Sequence, residues 1–144
     1  MHTKSSAVRP FLALALGLCF AGSAAAEQTP APARAEAYII SPADGATVNT
    51  PLTVRFGLKG MGVAPAGIQV PNTGHHHLIV DADAPAPGLA IPKDAQHLHF
   101  GGGQTETVLE LPPGRHTLQL LLGDYAHVPH NPPVISKPIA ITVE

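Results

Sequence analysis

Sixteen prolines and fourteen glycines are spread through 144 residues, and beyond residue 26 they leave no room for a sustained helical period. Proline removes a backbone donor and fixes φ, and glycine weakens helix interiors, so this density forces the chain into short extended runs joined by turns. The runs are rich in β-branched and aliphatic residues. They fall at Ala37–Ser41, Leu52–Leu58, His75–Asp81, His97–Phe100, Thr105–Leu111, Arg115–Leu122 and Val134–Val143. Seven short strands with turn signals between them predict an all-β fold, an immunoglobulin-like β-sandwich over residues 37–144. About a hundred residues is enough to bury one core without a disulfide. The 105–111 and 115–122 runs are expected to form a hairpin around Pro112-Pro113-Gly114.

Two appendages precede the domain. Lys4 and Arg9 form a basic start, Phe11–Gly22 a short apolar run, and Ala24-Ala25-Ala26 a small-residue site before Glu27. That is the pattern of a cleaved signal peptide over residues 1–26, which predicts a periplasmic or secreted protein. The apolar run is too short for a membrane span, and no later stretch approaches one. Leu18 stands before Cys19 where a lipoprotein needs a small residue. Residues 27–36 (EQTPAPARAE) read as a Pro/Ala-rich tether.

Cleavage would remove Cys19, the single cysteine, and with it any disulfide or thiolate chemistry. It would also take Lys4 and Arg9 from the eight basic residues, leaving six against ten acidic ones, a formal charge of −4. Nucleic acid and anionic membranes are poor partners for that balance. No G-x-S-x-G or H-E-x-x-H occurs, so no catalytic residue is predicted.

Histidine is what the composition has in excess. Eight of the nine histidines lie beyond residue 26, three of them consecutively in NTGHHHLIVDAD. Strand alternation divides that triplet. His76 belongs with Leu78 and Val80, the core-facing set, while His75 and His77 point outwards with Ile79 and Asp81. In HLHF, Leu98 and Phe100 are the apolar pair, so His97 and His99 repeat the H-x-H spacing. The loop GDYAHVPHNPP adds His127 and His130. Strand direction in a sandwich brings these segments to one pole, seven histidines in all, with His116 left beside the opposite turn and core-edge in character.

Neutral imidazoles in such a cluster are ligands for zinc, copper or nickel. The candidate metal ligands are His75, His77, His97, His99, His127 and His130. Asp81, Glu106 and Asp124 are candidate carboxylates behind them, orienting imidazole tautomers. Without thiolates, and with Met61 the sole methionine beyond the leader, the set favours zinc or copper(II) over copper(I). Affinity is expected to fall as pH drops through the imidazole range. Two other classes stay open. The same pole could recognise a protein, a cell-wall component or a small anion through hydrogen bonds. A redox-copper or hydrolytic-zinc enzyme would need a vacant metal position beside a pocket.

The strings GHHHLIVD and HLHFGGGQTETVLELPPGRHTLQLLLGDYAHVPHNPPVIS resemble an uncharacterised exported bacterial family, domain of unknown function 4399, over about residues 57–143. The matching pattern residues are His75, His76, His77, His97, His99, Gln104, Thr105, Glu106, His116, His127 and His130. The resemblance implies an exported β-rich domain behind a signal peptide, and assigns no ligand. GHHHLIVD is also similar to the G-x-H-x-H strand of copper/zinc superoxide dismutases. The cysteine pair, zinc-loop pattern and electrostatic loop of those enzymes are missing, so the likeness is one of architecture.

Overall fold

In LTVRFGL, alternate residues Leu52, Val54 and Phe56 are buried and Thr53 and Arg55 are exposed, the period-2 pattern of a strand with one wet face. The computed structural model describes residues 27–144; the expected signal peptide, with Lys4, Arg9 and Cys19, lies outside them. Among the described residues there are nine strands and no helix: β1 (Glu36–Ser41), β2 (Thr47–Val48), β3 (Leu52–Lys59), β4 (Gly62–Val63), β5 (Thr73–Val80), β6 (His97–His99), β7 (Glu106–Leu109), β8 (Gly114–Gly123) and β9 (Ile139–Val143). No helix there is long and apolar enough to cross a membrane.

The strands form two sheets, as an immunoglobulin-like sandwich requires. The smaller runs β1-β3-β7 and the larger β2-β9-β8-β5-β4, with β6 also paired to β5. Ala37, Val54, Phe56 and Leu109 of the small sheet meet Leu78, Leu118, Leu120, Leu122 and Ile141 of the large one in a single apolar core. The two strands beyond the expected seven, β2 and β4, are two-residue pieces pairing in parallel with β9 and β5.

Three expectations change. The hairpin does not form: β7 pairs with β3, Leu109 opposite Leu52 and Glu106 opposite Arg55, while β8 lies in the other sheet. Pro112 and Pro113 offer no N–H to close a ladder, and they carry the chain across the sandwich instead. The last strand is shorter than Val134–Val143. Pro138 interrupts it, and the 134–136 stretch runs back along β8 through Leu122 N→Val134 O (2.9 Å) and Ser136 N→Leu120 O (2.8 Å). The tether is docked, with Pro30 bridging Asn131 and with Ala31 and Ala35, small enough to fit, packed on the core.

The outer face of the large sheet is covered as well. Ile91, from the 82–96 excursion, packs on Ile79 and Leu121 in a second apolar cluster. Its amide donates to the His127 carbonyl at 2.8 Å, tying the two covering loops together. Histidines that point away from the core on β5 are therefore still indoors.

Candidate metal centre

Backbone register brings the first three rings together. His77 stands opposite His99 across the β5–β6 ladder, and His75 stands opposite Gly123 across β5–β8. Alternation puts His75 and His77 on the outer face, where each is 1% exposed beneath the loops. The fourth ring, His127, comes from the 124–130 loop, at a residue with the left-handed φ of 65°. Ring centroids of His75, His77, His99 and His127 lie 4.7–6.2 Å apart in all six pairings.

Ligand atoms of His75, His77 and His99 all fall within 4.8 Å of one another. His127 Nε2 lies 3.1 Å from His99 Nε2, where one imidazole N–H donates to the other's lone pair. Nitrogens on a tetrahedral zinc at about 2.0–2.1 Å stand roughly 3.3 Å apart, so this pair already has ligand spacing. Within the His75, His77 and His99 set, the widest pair must close by roughly 1.5 Å, within reach of side-chain rotation. His75 Nε2 and His77 Nδ1 are buried with no hydrogen-bond partner. An unpaired buried polar atom costs about 1–3 kcal/mol, and a cation would supply the missing partner to a lone pair.

The electrostatics keep these rings neutral. Burial first, then repulsion from the neighbouring imidazoles of His127 and His99, lowers His75 to about 4. Burial, then repulsion from His75, His99 and His127, lowers His77 to about 3. His99 is also lowered, by burial and then by His127. Neutral imidazole is the ligating form, and at His75 and His77 it persists well below the ordinary histidine range.

Two glycines make the space. A Cβ on Gly123 would lie 2.7 Å from His77 Cε1, and one on Gly101 would overlap the His99 ring. Behind the tetrad, Asp124 is 3% exposed and organises the loop rather than an imidazole. Its Oδ1 accepts from the amides of Ala126 (2.8 Å) and Val128 (2.9 Å), and its Oδ2 accepts from Thr29 Oγ1 at 2.6 Å.

The family model for a domain of unknown function, DUF4399, matches residues 54–144, which takes in all four rings. The chain belongs to the DUF4399 family. No curated protein matches it. Among solved structures, the DUF4399 chain is similar to fibronectin(III)-like modules of Clostridium thermocellum CbhA, with a TM-score of 0.39 and 11% identity. That likeness covers 76% of this chain and 45% of the other, so the chain spans less than half of the solved one.

In this DUF4399 domain the remaining predicted residues lie elsewhere. His97 shares the parity of His99 but sits two residues, roughly 7 Å, further along the strand. There its Nδ1 binds Asp94 Oδ1 at 2.9 Å. His130 is fully buried with Nε2 donating to the Thr73 carbonyl at 3.2 Å, which turns its ring to the backbone of β5. Asp81 follows the far end of β5, where its Oδ2 accepts from His116 Nδ1 at 2.7 Å and its Oδ1 from the Thr117 amide at 2.8 Å. Glu106 is on the other sheet, paired with Arg55 at 3.2 Å, because β7 joined β3. His76 faces the core against Phe56, ring centroids 5.2 Å apart. Neither Gly123 nor Gly101 was legible as a site residue; Gly101 reads as turn chemistry until its neighbour is known.

Proposed function

We propose that this domain binds a divalent transition-metal ion, copper(II) or zinc, through His75, His77 and His99, with His127 completing a four-histidine set. The observation that carries this reading is convergence: three ring nitrogens within 4.8 Å on two adjacent strands, and a fourth 3.1 Å from one of them. A recognition surface for a protein or an anion would spread its imidazoles along an exposed groove, whereas His75 and His77 are buried. On a tetrahedral zinc, four nitrogen ligands leave no open position for a substrate, which favours holding and handing on an ion over hydrolysis. Imidazoles without thiolates suit copper(II) and zinc. The leader-like residues 1–26 support a periplasmic or secreted setting.

Calorimetric titration of metal-free protein with copper(II) and zinc tests the assignment. We expect binding tighter than roughly 10 µM, about −7 kcal/mol, at neutral pH. The variant H99A should weaken it at least tenfold, and H97A should leave it unchanged. Weaker binding by the wild type, or equal loss in both variants, sinks the site.

A further inference from the structure

Three of the tetrad's rings are fixed by sheet or ladder contacts, but His127 rides on a loop and needs something to hold it there. Asp124 does so from within the loop, through the Ala126 and Val128 amides and through its own carbonyl, which accepts from the His127 amide at 3.0 Å. The rest of the restraint comes from nearly a hundred residues away. Thr29 Oγ1 donates to Asp124 Oδ2 at 2.6 Å, and Gln28 Nε2 donates to the Pro129 carbonyl at 3.1 Å. Ala31 N donates to Asn131 O at 3.0 Å, and Asn131 N donates to Thr29 O at 2.9 Å. The N-terminal segment therefore grips the loop on both sides of His127.

We infer that residues 28–31 form a strap belonging to the metal centre, in which Thr29 acts through Asp124 to position His127 against His99. This rests on the metal reading above and extends it. With the strap seated, the site offers four nitrogens. With it lifted, the 124–130 loop loses its outer anchor, His127 withdraws, and three strand-borne histidines remain with one open position. Were an ion held there, a ligand from an acceptor could replace His127 on it while His75, His77 and His99 kept hold, with no change in oxidation state. The strap thus sets the rate of metal exchange, while His75, His77 and His99 set the retention. A carboxylate that only stabilised the fold would not discriminate among the four rings.

Thr29→Val keeps the side-chain shape and removes the donor, so it tests the idea without dismantling the fold. In metal-free protein, amide exchange at Ala126, His127 and Val128 should accelerate at least tenfold, with Leu120 on β8 unchanged as the internal control. In copper(II)-loaded protein, the nitrogen count from electron paramagnetic resonance should fall from four to three, matching H127A. Release to a competing chelator should quicken about tenfold. Wild-type protection at 126–128 overturns the strap, as does an unchanged ligand count with an unchanged release rate. If the wild type takes up neither copper(II) nor zinc, the metal reading and the exchange role fall together, and amide exchange still decides whether Thr29 holds His127.

Discussion

At the scale of single residues, the site depends as much on absent side chains as on present ones. Gly123 faces His75 across the ladder, and the space where its Cβ would stand is taken by His77 Cε1 at 2.7 Å and Ile91 Cδ1 at 3.3 Å. Gly123→Ala must therefore push the His77 ring or the covering loop. Overpacking of this kind costs about 1–3 kcal/mol. Urea denaturation should show that loss, and metal affinity should drop with it; wild-type values for both would mean that the ring has room to spare. Alternation alone was enough to separate His76 from His75 and His77, because successive side chains on a strand point to opposite faces of the sheet. The same rule could not choose between His127 and His130. They lie on an irregular loop, where the deciding contacts are Asp124 and the Thr73 carbonyl, and no periodicity records those.

Elements tell a similar story. Strand positions were readable wherever an apolar alternation ran uninterrupted, as in β3 and β8. Partner choice was not readable where prolines intervened, which is why β7 went to β3 instead of β8 and took Glu106 out of reach. The covering loops were the larger surprise. A sandwich normally presents the outer face of a sheet to water, yet β5 is buried on both faces from Gly74 to Val80. Ile91, 6% exposed, is the apolar anchor of that cover. Ile91→Ala should cost about 2 kcal/mol, the lower end for such truncations, since it sits in a satellite cluster. Amide protection along β5 should weaken as the cover loosens. A variant with undiminished stability would show that the loops hold by their hydrogen bonds alone.

For the whole molecule, the histidines impose opposing pH dependences. Burial lowers His75 and His76 to about 4 and His77 to about 3, while their ordinary value in an unfolded chain is near 6.5. Above that value both states are neutral and nothing is lost. As pH falls below it, the unfolded chain takes up protons that the folded chain refuses, so stability declines down to the folded values. The loss approaches roughly 3 kcal/mol for His75 and for His76, and roughly 5 kcal/mol for His77. His116 runs the other way. The Asp81 carboxylate and then the Pro112 carbonyl, which accepts from Nε2 at 2.8 Å, raise it, so its contribution is present below 6.5 and fades as pH rises above. Denaturant unfolding of metal-free protein should be hardest near neutrality and fall steeply between pH 6.5 and 4. A flat profile across that interval would contradict the burial of the cluster.

The four rings come from three stretches of chain, with 28 residues separating His99 from His127. A metal joining them would therefore act as a cross-link, closing two long loops in the unfolded chain much as a pair of disulfides would. With no cysteine among the described residues, the domain would be tied together by an ion it can also give up.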